Sequence, residues 1–142
     1  MNMLKLENQV CFPLYAASRQ ITALYRPLLE ELDLTYPQYL VMMVLWEHSV
    51  MTVKELGELL YLDSGTLTPL LKRMEEKGLV KRTRDEQDER VVNIALSPAG
   101  KKLEKSAEKI PAQLACEMDM SEKELKQLRT ILHKLLQKVG HI

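Results

Sequence analysis

The chain is poor in aromatic residues, in cysteine and in net charge, and each shortage excludes a class of protein. Aromatics make up 5% of its 142 residues, with one tryptophan and one phenylalanine. Leucine and methionine are plentiful instead, which points to packed helices. Lysine plus arginine equals aspartate plus glutamate at 20 each, so the formal net charge is zero. A generally basic protein is ruled out, and any affinity for nucleic acid must come from local clustering of cations. Two cysteines, Cys11 and Cys116, do not make the disulfide framework of a secreted protein at this size. In a reducing compartment they are either buried packing residues or thiols with work to do. The longest apolar run, Tyr39–Trp46, cannot span a bilayer. Met1–Val10 includes Lys5, Glu7 and Asn8 and does not read as a signal peptide. A cytoplasmic protein with no membrane partner is therefore expected. His48, His133 and His141 lack metal-ligand spacing, and no glycine-rich phosphate loop or Ser/His/Asp pattern is visible. Neither an enzyme nor a bound metal or cofactor is expected.

Hydrophobic residues reach 46%, enough for a folded core in one domain. Over residues 6–31 the side chains of Val10, Leu14, Ala17, Ile21, Leu24 and Leu28 recur at steps of three and four, which predicts a helix. Pro13 belongs near its start, and Pro27 is expected to kink its far end. Thr35 with Gln38 reads as a capping box opening an apolar helix to His48, whose lack of a polar face predicts burial. Thr52 with Glu55 opens a short helix through Tyr61. After a turn at Leu62–Gly65, another helix runs over 64–77 and stops at Gly78. Two short helices so joined make a helix-turn-helix. Leu79–Arg84 and Arg90–Leu96 read as two strands about the polar loop Asp85–Glu89. Ser97-Pro98 starts a further helix, and Ser121 with Glu124 starts the last.

The fold class expected is mainly α (α+β). A winged helix-turn-helix occupies 35–97, and 1–34 with 98–142 form a helical dimerisation region, the whole being one compact domain. The terminal helices carry more apolar residues than a small winged core can bury, which argues for a homodimer.

On the helix over 64–77, Leu67, Leu70, Leu71 and Met74 form the inward stripe. Thr66, Thr68, Pro69, Lys72, Arg73 and Lys77 lie outward, with Ser64 and Gly65 at the start. Small residues and hydroxyls at that end let backbone approach DNA and reach phosphates or base edges. Residues 64–84 hold six basic side chains (Lys72, Arg73, Lys77, Lys81, Arg82, Arg84) and two acidic ones, a local +4 in a neutral chain. A solvated helix face is the plain alternative, which the helix-turn-helix and hairpin context disfavours. Asp88 and Arg90 can pair and stiffen the hairpin, holding Arg90 for a minor groove. As an isolated surface pair they would contribute under about 1 kcal/mol. Cys11 falls in the first turn of the first helix, where the dipole favours the thiolate that peroxides attack. Burial as an apolar side chain is the commoner fate of such a cysteine.

The run Leu62–Glu75, followed by Asp88-Glu89-Arg90 and Leu96–Gly100, resembles the MarR family of winged-helix regulators. The resemblance extends over residues 5–138. It implies a homodimer on a roughly palindromic double-stranded operator, with the 64–77 helix in the major groove and the hairpin around Arg90 in the minor groove. Leu6–Phe12, Leu14–Arg19, Leu24–Leu29 and Leu34–Tyr39 are similar to the peroxide-sensing branch, the organic hydroperoxide resistance repressors. That branch implies that Cys11 is the sensor, that tyrosines at Tyr25 and Tyr36 reach it from the partner subunit, and that Tyr15 belongs to the same site. Cys116 resembles the position of a resolving cysteine near the end of the fifth helix; the competing reading is a core cysteine. The function implied is a repressor that leaves its operator when an organic hydroperoxide oxidises Cys11. The alternatives are a repressor released by a small aromatic ligand, a thiol-based global regulator with a structural Cys116, and an interaction module without a DNA role.

Overall fold

The computed structural model describes residues 2–140, so His141, whose spacing was considered above, lies outside the described residues. Seven helices and three short strands follow one another among these residues. A 3-10 turn, Leu6–Asn8, precedes α1 (Cys11–Glu30), which leads to α2 (Tyr36–His48), β1 (Val50–Thr52), α3 (Val53–Leu60) and α4 (Ser64–Glu76). Strands β2 (Val80–Arg84) and β3 (Val92–Leu96) come next, then α5 (Pro98–Ala107), α6 (Ile110–Met118) and α7 (Glu122–Val139).

Local chemistry places most of these boundaries. Thr35, Thr52 and Ser121 each accept from the backbone N–H three residues on, and Gln38, Glu55 and Glu124 each accept from the cap's own N–H. All three expected capping boxes are thus formed. Ser97 caps α5 with Pro98 in the first turn, where a proline loses no hydrogen bond. Gly78 sits at φ +77°, a left-handed conformation that glycine adopts freely as it ends α4. Asp63, unnoticed in the sequence, caps α4 by accepting from the Thr66 N–H at 2.7 Å.

The core forms around α2, which packs on α1, α3, α4, β1, β3 and α5. Val41, Met42 and Leu45 are fully buried, together with Leu56 from α3, Leu67, Leu71 and Met74 from α4, and Ile94 from β3. Burial of each such side chain is worth about 1.5–3 kcal/mol. The sheet is antiparallel in the order β1-β3-β2, with Val50 opposite Ala95 and Arg82 opposite Ile94. Gly57 brings α3 against the turn to α4: a Cβ there would lie 2.6 Å from the Leu62 carbonyl oxygen.

Several expectations are corrected. The helix expected over 6–31 begins at Cys11, with only a 3-10 turn before it, so Pro13 falls in the first turn, where a missing N–H costs nothing. Pro27 lies inside α1 as expected, three residues before its end at Glu30. The hairpin gains a third strand, β1. The segment after Ser97 divides into α5 and α6, with Pro111 in the first turn of the second.

A truncation at the centre tests this packing. Leu71→Ala is expected to cost about 2–5 kcal/mol, read from urea denaturation of reduced protein at one fixed concentration. A loss below about 1 kcal/mol would mean that α4 is not seated on α2 as described.

Candidate DNA interface and thiol site

The outward face of α4 is set by the inward one. With Leu67, Leu71 and Met74 fully buried, Ser64, Gly65, Thr66, Pro69, Lys72 and Arg73 are exposed and Thr68 half-buried. The Asp63 carboxylate is committed to the helix end, and the hydrogen bonds from Thr66 hold its carboxyl below the usual range. Hydroxyls and free backbone therefore face outward beside a fixed cap, on a helix narrow enough to enter a major groove.

The hairpin is ordered from within. Asp85 accepts from the N–H groups of Gln87 and Asp88, and the Arg84 guanidinium donates to the Glu89 carbonyl at 2.9 Å. At the tip, Arg90 Nε and one terminal nitrogen donate to the two Asp88 oxygens at 3.1 and 3.3 Å. These bonds hold the Asp88 carboxyl below its ordinary range. The expected pairing is therefore present, and Arg84 acts on the loop from behind. A groove of about 960 Å³ separates the start of α4 from this wing and is lined by Ser64, Thr68, Arg82, Asp88 and Arg90 among others.

Lys77 departs from the expected outward set. Its ammonium turns away from the DNA-facing side, donating to the Asp33 carbonyl and to Gln38 Oε1 at 3.1 Å, with the Asp33 carboxylate 3.7 Å away. Helical periodicity placed its Cα correctly but could not show where four methylenes would carry the charge.

Cys11 is the first residue of α1 and is exposed, and Val10 before it offers no side-chain cap. Tyr15, one turn on, shares its helix face, and the Arg19 guanidinium lies 5.4 Å from the Tyr15 ring centroid. Tyr25 is different: the rise of α1 separates it from Cys11 by about 21 Å. Instead it packs on Tyr36 (centroids 4.7 Å) and Tyr39 (5.7 Å), and Tyr39 continues to Trp46 at 6.3 Å. Trp46 Nε1 in turn donates to the Gly100 carbonyl at 3.0 Å. Tyr39 and Trp46 were missed in the sequence because at helical spacing they look like ordinary core. Burial, with Tyr36 and Tyr39 nearby, pushes the Tyr25 hydroxyl up to about 12; burial also raises Tyr36 and Tyr39. All three remain protonated donors at neutral pH.

Cys116 is also exposed, on α6, which corrects the core alternative. The start of α6 packs on the end of α1, where the exposed Lys109 pairs with Glu31 at 3.0 Å. From there α6 rises about 10 Å to Cys116, whereas Cys11 lies about 30 Å back along α1. A disulfide needs Cα atoms within about 7 Å, so these two cysteines of one chain cannot pair without large rearrangement. Among the described residues no cluster of three or more His, Cys, Asp or Glu is gathered as a metal site, and no helix is long and apolar enough to cross a membrane.

Helix-turn-helix, exposed second helix and three-stranded wing define a winged-helix protein. The family model of the transcriptional regulators SarA/Rot matches residues 23–110. The organic hydroperoxide resistance transcriptional regulator of Bacillus subtilis is 54% identical over 134 residues, covering 94% of this chain and 91% of that one. Among solved structures, reduced AbfR bound to DNA superposes with a TM-score of 0.79 at 34% identity, over 96% of this chain and 95% of that one. AbfR is also solved as the Staphylococcus epidermidis protein and in a disulfide form; the latter gives 0.67 at 36% identity over 92% of both chains. A mutant of Escherichia coli MarR complexed with operator DNA gives 0.80 at 26% identity, over 89% of this chain and 93% of that one. The chain belongs to the SarA/Rot family of transcriptional regulators, within the MarR-type winged-helix proteins.

The tyrosine cluster carries a pH signature. A hydroxyl raised in the fold contributes stability that is complete below its unfolded value, about 10, and is lost as pH rises through about 12. Stability is thus expected to hold up to about pH 10 and fall beyond it, with ultraviolet titration showing delayed ionisation of three of the five tyrosines. Tyr25→Phe should remove the latest step; wild-type protein whose five tyrosines all ionise together at about 10 would mean the cluster is solvated.

Proposed function

We propose that this chain is a homodimeric transcription repressor that holds a roughly palindromic operator when reduced and releases it when an organic hydroperoxide oxidises Cys11. The observation that carries the reading is an exposed thiol opening α1, about 21 Å from Tyr25 of its own chain. Tyr25 and Tyr36 can serve that thiol only from a second copy. Residues 1–34 and 98–142 supply the contact: Phe12 and Leu14 of α1 and Leu128, Ile131 and Leu135 of α7 are exposed apolar side chains. Residues 35–97 form the DNA-binding region.

In that dimer α4 enters the major groove, with Ser64, Gly65, Thr66, Thr68 and Pro69 close to the bases and Lys72 and Arg73 reaching phosphates or base edges. Arg90, held by Asp88 and a loop braced by Arg84, enters the adjacent minor groove. The relative from Bacillus subtilis, named for organic hydroperoxide resistance, supports the effector, and AbfR, solved on DNA both reduced and overoxidized and separately as a disulfide, supports the disulfide as the form that leaves the operator.

The chemistry balances without a cofactor. The Cys11 thiolate attacks one peroxide oxygen, the O–O bond breaks, and the alkoxide takes a proton and leaves as the alcohol. Cys11 is left as a sulfenic acid. The Cys116 thiol of the partner subunit then attacks that sulfur, expelling water and forming an intersubunit disulfide. One hydroperoxide is consumed per disulfide formed and the thiols are not regenerated in the step, so the protein acts as a switch and not as an enzyme. Working on DNA, it belongs in the cytoplasm.

Cys11→Ser is expected to keep operator affinity and lose release by tert-butyl hydroperoxide in a gel shift on the DNA upstream of its own gene. Normal release by that variant would sink the sensor role. In parallel, non-reducing electrophoresis should show a dimer-sized band that needs both Cys11 and Cys116. For the interface, Arg90→Ala should weaken operator binding and lower the slope of log K against log salt by about one. An unchanged affinity would leave the wing without its role.

A further inference from the structure

Lys77 ends the recognition helix, yet its charge is spent on another element. Its backbone N–H closes α4 on the Arg73 carbonyl. The side chain crosses to the α1–α2 connection, where Nζ donates to the Asp33 carbonyl and to Gln38 Oε1. Asp33 stands at φ +54°, in the left-handed region that aspartate tolerates. Gln38 is 4% exposed, and the same Oε1 also accepts from the Thr35 N–H at 3.1 Å. One buried amide oxygen thus joins the first turn of α2 to the last turn of α4. Tyr36 stands inside that first turn, between cap and amide, with its ring on Tyr25.

We infer that Lys77 is a positioning residue that transmits the state of the thiol site to the recognition helix, through Gln38 and the α2 capping box. The inference rests on the function proposed above, in which Tyr36 faces the Cys11 sulfur of the partner subunit. Formation of the intersubunit disulfide draws that sulfur away from the tyrosine, which loses its partner and shifts. The first turn of α2 moves with it, and because Gln38 Oε1 belongs to the same capping box, the anchor of Lys77 moves too. The anchored end of α4 is the end away from Ser64–Thr68, so a small shift there swings the opposite, groove-reading end. The two α4 helices of a dimer must match successive major grooves, and a few ångströms of swing is enough to lose register.

The test compares operator affinities before and after tert-butyl hydroperoxide for the full-length wild type, Lys77→Met and Lys77→Arg. Lys77→Met is expected to bind within about threefold of wild type when reduced, while its ratio of oxidised to reduced Kd falls about tenfold, within the range typical of residues along coupling networks. Lys77→Arg, which keeps a long cationic donor, should restore most of the ratio. Gln38→Met, which also strips the Thr35 N–H of its partner, should lower the ratio likewise, and adding Lys77→Met to it should lower the ratio little further. Equal weakening of Lys77→Met in both states, with a salt slope reduced by about one, would make Lys77 a phosphate contact and overturn the inference. An unchanged ratio overturns it as well while leaving the sensor reading intact. A wild type that stays on its operator after oxidation defeats both together.

Discussion

The burial of α2 is the constraint on which the other elements depend. Apart from Pro37, Met43, Glu47 and His48, no residue of this helix is exposed. A helix apolar on nearly every side must be covered on nearly every side. Helices α1, α3, α4 and α5 and two strands meet that demand. The recognition helix is one of those covering elements, so its orientation is fixed by the shape of α2 through Leu67, Leu71 and Met74. Interiors packed this tightly do not deform smoothly; they shift as bodies. Movement of α2 is therefore passed to whatever rests on it.

Both ends of α2 are polar where its middle is not, and these ends set its relations with the rest of the chain. At the start, Thr35 and Gln38 satisfy the free N–H groups and Gln38 still has capacity to accept from Lys77. Towards the far end, Trp46 donates to the Gly100 carbonyl at the beginning of α5, beside the turn from the wing. Between these ends runs the aromatic row Tyr36, Tyr39 and Trp46, with Tyr25 from α1 against it. The apolar bulk of these rings fills the core while their hydroxyls keep a polar edge. Such an edge, held protonated, can donate to a thiolate or a sulfenic oxygen but cannot repel either by its own charge.

What could be read from the sequence divides along physical lines. Capping boxes, the Ser97-Pro98 start and the Gly78 stop are local, involving partners within a few residues, and the structure forms them as read. The α4 stripe was legible for the same reason, since a period of 3.6 is a short-range property. Strand β1 was not, because a three-residue strand has no period to speak of and exists through pairing with β3 far along the chain. The division of α5 from α6 turns on Pro111, whose place in the first turn of a new helix is not distinguished locally from a kink in one long helix. At the candidate site, Asp88 with Arg90 could be anticipated from two positions of sequence, whereas Lys77 with Gln38 spans 39 positions and leaves no trace in any window.

The length of α1 carries the remaining step. A helix is a ruler, and this one holds Cys11 about 21 Å from Tyr25 whatever the rest of the protein does. The same ruler, with α6 packed at its far end, keeps Cys11 and Cys116 of one chain apart. On the function proposed above, such a chain carries both halves of a thiol site, separated by most of the length of one helix. In the two-fold dimer proposed above, each half would meet its complement, since symmetry supplies both exchanges at once. Chemistry at one sulfur is then chemistry at an interface. Only at an interface can a change of a few atoms alter the spacing of two recognition helices.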